Sequence, residues 1–306
     1  MKALSCALPS IVTTLVFGAW VTACIAQSSA PKLEAPTDKQ IQEYWFDGAE
    51  ISRFELSQER YGETHPGYAV FVYVTEPFRT TTQVKADTSE PNVTPVLKLN
   101  ALREFNTGIY EYNTMTSIFT PIDMVTHPRA LKLTTSVQDW CGQAFSQFNL
   151  RDGQYAFELR SYFESEGDIN AIIADKNIWL ENDIWMRIRL DPTSLPVGVF
   201  AAIPDSLYQR FAHRSPSAER AVGTLKRTRE GTEYVVEYPS LGRTLVVRFD
   251  AAFPFKIQGW TESNSRGAVV TTAKRTQQIE RSYYWSLNKK KDDHLRKALD
   301  LSEAPR

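Results

Sequence analysis

The chain has 306 residues and a mass of 34.8 kDa, with 42% hydrophobic and 23% charged residues. That balance belongs to soluble globular proteins and excludes chain-long disorder, a collagen-like repeat or a coiled coil. Lys+Arg total 35 and Asp+Glu 36, a formal net charge of −1, so no global basic field exists to recruit nucleic acid.

The first segment reads as an address. Lys2 precedes an uncharged stretch over 3–30 whose centre, 8–23, is mostly apolar. Such a pattern marks a secretory signal peptide. It ends in Val21-Thr22-Ala23-Cys24, which resembles the bacterial lipobox, where cleavage precedes the cysteine and the cysteine carries lipid. The expected layout is a signal peptide over 1–23 and a Ser/Ala/Pro-containing tether over 24–38. Cleavage after Ala26, or an uncleaved anchor, are the alternatives. Ile25 is not an Asp retention signal, so by analogy the destination is the outer membrane of a Gram-negative host. The protein would face the periplasm or the cell surface, attached to the membrane through lipid on Cys24. Without lipidation it would be a soluble periplasmic protein.

Three cysteines are present: Cys6, Cys24 and Cys141. Cys6 leaves with the signal and Cys24 takes the lipid, so Cys141 has no partner for a disulfide. An exported chain of this length then depends on its hydrophobic core.

The body, 39–288, reads as a single β-rich domain, followed by a charged C-terminal helix or tail over 289–306. Residues 39–44 suit a short opening helix. Val70, Val72 and Val74 alternate with Ala69, Phe71 and Tyr73, which predicts a strand buried on both faces, bounded by Gly67 and Pro77. Val96, Leu99, Leu102 and Phe105 recur at spacing three, which fits a helix or a strand bordering one. Segments 144–150 and 154–163 flank Asp152-Gly153, a hairpin turn signal. Residues 177–190 fit a helix, or a strand pair turning at 181–183. The alternation of Trp185, Arg187 and Arg189 with Met186, Ile188 and Leu190 favours a strand after Asp183. Asp205 is placed to cap a short helix over 205–213. Six strands are predicted in the last third, at 223–228, 233–238, 244–249, 255–262, 268–275 and 277–287, and form a meander. A charged helix over 292–301 ends the chain. The predicted class is mainly β, a β-rich α+β fold: a curved antiparallel sheet or incomplete barrel with a few covering helices.

The chemistry is mostly absent motifs. No two glycines have GxG or GxSxG spacing. Gly62 and Gly67 have P-loop spacing, but Tyr68 replaces the required Lys. His65, His127, His213 and His294 are too far apart for HExxH, and no metal or other cofactor is expected. Trp140-Cys141-Gly142-Gln143 lacks the second cysteine of a CxxC redox pair, because position 144 is Ala. Cys141 activated by a histidine is one catalytic candidate, with His65 a second; a packed thiol beside Trp140 is the competing reading. Ser286 and Lys289 match SxxK without its companion motifs. Glu158, Glu164, Glu166 and Asp168 form a carboxylate cluster that also reads as a solvated loop beside Gly167. Lys289, Lys290 and Lys291 form a short basic run, diluted by Asp292 and Asp293. Trp179, Trp185, Trp260, Tyr283 and Trp285 fall on predicted strands. They would line a concave face for an acyl chain or a sugar, or else form an ordinary β core.

Leu102-Arg103, the run 107–112, Met115-Thr116-Ser117, the run 138–143 and Ser161-Tyr162-Phe163 resemble an uncharacterised family of exported bacterial proteins and lipoproteins. The resemblance spans 45–287. Some members of that family are labelled "septum formation inhibitor Maf". True Maf pyrophosphatases are cytoplasmic α/β proteins with an N-terminal SxSPRR-type motif that this chain lacks, so the label does not transfer. The resemblance implies export but no activity and no site.

Three functions compete. The first is a non-enzymatic envelope lipoprotein binding an apolar or glycan ligand or a partner protein, by fold-level analogy with the lipoprotein carriers LolA and LolB. It calls for a concave apolar cavity. The second is an envelope hydrolase, which needs a histidine within reach of Cys141 or two carboxyls converging in a pocket. The third is a structural subunit of an envelope complex, which needs an exposed apolar patch and no pocket.

Overall fold

A computed structural model of the protein describes residues 33–88 and 90–301. The signal segment, Cys24 and most of the expected tether lie outside the described residues.

Helix α1 (Asp38–Trp45) opens the body through a capping box, in which the Thr37 side chain accepts from the Gln40 backbone N–H and the Gln40 side chain accepts from that of Thr37. Sixteen strands then form one sheet. One wing runs β1 (Ala49–Arg60), β2 (Glu63–Arg79), β4 (Val93–Thr107), β5 (Tyr110–Pro121), β6 (Lys132–Asp139), β7 (Gly142–Arg151), β8 (Gln154–Ser161) and β9 (Ile169–Ile173); β3 (Val84–Lys85) lies aside on β2. The chain then moves to the other edge of the sheet. There β10 (Trp179–Leu180) pairs in parallel with β11 (Gly198–Ile203), helix α2 (Asp183–Leu190) lying between them in sequence. Helix α3 (Ser206–Phe211) follows. An antiparallel meander of β12 (Glu219–Thr228), β13 (Gly231–Tyr238), β14 (Arg243–Phe249), β15 (Ile257–Ser263) and β16 (Val269–Ser282) returns to pair with β1.

Chain length forces this sheet to curl. Fifteen strands in hydrogen-bonded order separate the β9 and β10 edges; laid flat they would stand about 65 Å apart. The six Cα steps from Ile173 to Trp179 reach at most about 22 Å. The edges must therefore approach, and since they do not pair with each other the result is an incomplete barrel.

Register fills its interior. Tyr73, Leu99, Ile118, Leu133, Phe148 and Phe157 stand opposite one another across β2, β4, β5, β6, β7 and β8, and all six are buried in the main core. Helix α2 is buried along all eight residues and plugs the space. Phe71 stacks on Trp260 at 5.2 Å, and Trp185 packs against both at 5.6 and 5.4 Å.

Several expectations hold. The opening helix, the Asp152-Gly153 hairpin, the Asp205 cap and the C-terminal meander are all present. Asp152 and Gly153 both take positive φ, 49° and 82°, as the tight turn requires.

Others are corrected. Residues 95–105 are strand: Leu97, Leu99 and Phe105 face inward, while Val96 and Leu102 join apolar clusters outside, so two faces together imitate a helical spacing. After Asp183 the chain is helix, not strand; α2 has no polar face because Arg187 and Arg189 are paired inside the protein. Gly67 and Pro77 lie within β2 rather than bounding it. The last two predicted strands are one, β16, followed by a short 3-10 turn at Tyr284–Ser286. The final helix is a 3-10 segment, Lys290–Leu299, whose Leu299 packs on Ile51 and Val70. Leu33, placed with the tether, is buried in the main core.

Candidate functional site

The residues singled out from sequence do not converge. Cys141 is exposed in the β6–β7 turn, where its backbone N–H donates to Asp139 Oδ1 at 2.6 Å. Trp140 beside it is also exposed, so the packed-thiol reading fails. No histidine among the described residues is hydrogen-bonded to the thiol. His65 sits on β2, its Nε2 bonded to the Arg60 carbonyl at 3.1 Å and its ring stacked near Phe105, a structural position. Trp185 and Trp260 belong to the packed core. Trp179 lies on β10 with the Arg187 guanidinium 4.3 Å above its ring. Tyr283 and Trp285 are half-exposed beyond β16, with Tyr283 donating to Asp47. These five aromatics therefore share no concave lining. Glu158 is exposed on β8 and Glu166 pairs with Arg210 and His213.

The structure instead concentrates buried charge at one end of the barrel. A cavity of about 380 Å³ opens there, lined by Gln58, Arg103, Asp205, Tyr208, Arg243 and Glu262 among others. Gln58 and Arg103 face inward from β1 and β4. Arg243 opens β14 opposite Tyr238, and Glu262 lies on the neighbouring β15. Asp205 caps α3 by accepting from the Tyr208 backbone N–H at 2.9 Å.

Arg243 organises the cluster. Its Nη1 and Nη2 donate to the two oxygens of Glu181 at 2.6 and 2.9 Å, and its Nε and Nη2 donate to Glu262 Oε2 at 3.1 and 2.8 Å. The Tyr208 ring stands 4.6 Å from the guanidinium. Such a two-carboxylate clamp fixes the planar fork and uses its donors. Glu181 also accepts from the Asp205 backbone N–H at 3.2 Å, and Asn182 Nδ2 donates to Asp205 at 2.5 Å. Burial pushes the Glu181 carboxyl above the usual range against the pull of Arg243, with Asp205 and Glu262 nearby adding to the rise. Burial pushes Glu262 up as well, but Arg243 and Arg103 outweigh it and hold that carboxyl below the usual range.

Arg103 differs from Arg243. It is only 7% exposed, yet its Nη1 donates to Gln58 Oε1 at 3.0 Å and Glu262 Oε1 stands 3.7 Å away. Most of its donor fork is uncommitted among the described residues, on a side chain that lines the cavity. No known family, curated protein or solved structure matches the chain. The site therefore stands on its geometry. No group of three or more His, Cys, Asp or Glu among the described residues is gathered to hold a metal.

Sequence reasoning missed Arg243, Glu181 and Glu262 because they come from separate elements with no fixed spacing. For Arg243 and Glu262 the one signal was a charge at an inward-facing strand position, as at Glu262 two residues after Trp260, whereas Glu181 lies between β10 and α2.

Proposed function

We infer that this chain is an exported binding module whose polar end cavity takes a small polyhydroxy ligand of sugar size. The volume lies in the range of small-molecule sites. Its walls offer both donors and acceptors, Arg103 and Gln58 with Asp205 and Glu262, beside the flat ring of Tyr208. Sugars need that combination, whereas an acyl chain needs an apolar tunnel, and the aromatic stack of Phe71, Trp185 and Trp260 fills the barrel interior. The signal pattern, the lipobox-like Cys24 and the resemblance to exported proteins support delivery to the envelope. The half-exposed Tyr283 and Trp285 suit a position near lipid headgroups. The observation that carries the reading is Arg103, buried against the cavity with most of its fork uncommitted.

Saturation-transfer NMR on the full chain with glucose, N-acetylglucosamine and glucuronate tests it. At least one sugar should show transfer, and Arg103→Met should weaken that sugar at least ~10-fold, the loss of one charge-assisted hydrogen bond. Transfer to none of the three, or equal binding by a folded Arg103→Met variant, overturns the reading.

A further inference from the structure

A second cavity, sharing no lining residue with the first, lies between the β6–β9 wing and the end of α3. Its floor is mixed, with Thr135, Ser146 and Ser206 beside apolar side chains. Inward-facing Val137, Phe148, Phe157, Leu159 and Ile169 come from four neighbouring strands. Its rim is charged, and an unusual backbone builds that rim. Helix α3 ends with the Arg214 N–H bonded to the Gln209 carbonyl at 2.9 Å, which places His213 at the left-handed position with φ of 50°. Glycine or asparagine ordinarily occupies such a position. Here the histidine ring is held by Glu166, with Nδ1 2.7 Å from Oε1. The same oxygen accepts from Arg210 Nη1 at 2.7 Å, and Ser161 donates to the other at 2.8 Å.

Arg210 supplies the observation that points to a ligand. Its side chain is only 10% exposed, its guanidinium packs on the Phe163 ring at 4.8 Å, and its Nε is buried without a hydrogen-bond partner among the described residues. A buried, unanswered guanidinium donor is costly unless something else accepts from it. The cavity measures about 100 Å³. An apolar cavity of about 150 Å³ holds benzene, so this one suits a tail of roughly four carbons.

We propose that this cavity binds a short-chain carboxylate, the tail on the Phe148–Phe157–Leu159 floor and the carboxylate at Arg210 and His213. A planar two-oxygen acceptor matches the guanidinium fork, which an alcohol does not. The site is independent of the sugar reading, and the failure of either leaves the other standing.

Isothermal titration of the full chain with a carboxylate series from acetate to octanoate tests the proposal without any variant. Affinity should peak between butyrate and hexanoate, and butanol should bind at least tenfold more weakly than butyrate. Leu159→Trp, which fills the floor, should cost butyrate at least tenfold, and so should Arg210→Gln at the rim. His213→Asn, which tolerates the left-handed backbone, should weaken butyrate without lowering the unfolding midpoint. No butyrate binding at 10 mM overturns the site. Affinity rising steadily to octanoate overturns the enclosed floor. Equal affinity for butanol, or butyrate binding unchanged in folded Arg210→Gln, overturns the carboxylate.

Discussion

Arg189 sits inside the barrel with 1% of its side chain exposed, its fork on both oxygens of Glu50 and its Nε donating to the Pro254 carbonyl at 2.9 Å. The Trp45 and Tyr73 rings flank it at 4.9 and 4.8 Å. A buried pair of this kind adds little over an apolar replacement, but breaking one half strands a charge. Arg189→Met should therefore cost about 3–5 kcal/mol in urea denaturation, and adding Glu50→Leu should recover much of that loss. The pH dependence has a definite sign. Burial pushes the Glu50 carboxyl up, but attraction and hydrogen bonds from Arg189, with one from Tyr44, outweigh it and hold it low. A carboxyl lowered by folding contributes stability above its unfolded pKa, about 4.3, and loses it as pH falls through the folded value. Glu262 is lowered too and acts in the same direction, whereas the raised Glu181 favours folding at low pH and loses that contribution as pH rises. Glu50→Gln should accordingly flatten the acid limb of a stability-versus-pH curve, and an unchanged limb would disprove the pairing. None of this was legible at the residue scale. In sequence, Arg189 looks like the wet side of a strand, because a charge buried by a partner over 130 residues away reads the same as one facing water; Arg187 pairs with Asp183 only four residues before it, a spacing that belongs to a helix.

At the scale of elements, close approach of strands explains two glycines that composition alone treats alike. A Cβ on Gly67 would lie 2.2 Å from the Glu104 carbonyl oxygen and 2.7 Å from Phe105 Cβ, so β2 and β4 would have to separate. Gly62, in the β1–β2 turn with φ of 81°, meets nothing within 4 Å and carries only the backbone preference. Gly62→Ala should cost about 1–2 kcal/mol, and Gly67→Ala should cost more, placing it in the large-effect tail of core mutations; urea midpoints in the reverse order would contradict the β2–β4 packing. Elements with local punctuation were legible: the Asp152-Gly153 turn, the Asp205 cap and the meander after 219 all rest on contacts within a few residues. Elements whose periodicity depends on distant cover were not. Residues 95–105 look helical because Leu97 and Leu99 serve the core while Val96 and Leu102 serve clusters outside. Helix α2 hides because every side of it is covered. The end cavity is invisible for the same reason: Gln58, Arg103, Asp205, Arg243 and Glu262 meet only after the sheet has curled.

At the scale of the molecule, the first and last strands pair, so the middle of the sheet joins the two ends of the described chain. Leu33 belongs to the same core. Cys24 lies nine residues upstream of Leu33, outside the described residues. Two acyl chains on one cysteine suffice for stable anchoring where a single chain would not. Expressed in a Gram-negative host, the protein should therefore fractionate with membranes, and its intact mass should match a chain beginning at Cys24 and carrying a diacylglyceryl group. Cys24→Ala should remove the added mass and the lipid-dependent anchoring. A soluble chain beginning near Gln27, unchanged in the variant, would refute the lipobox reading and leave a freely diffusing periplasmic binder. In that case the half-exposed Trp285 and Tyr283 would need a partner other than lipid, and both cavities would keep the ligands argued for them, because neither draws on the tether.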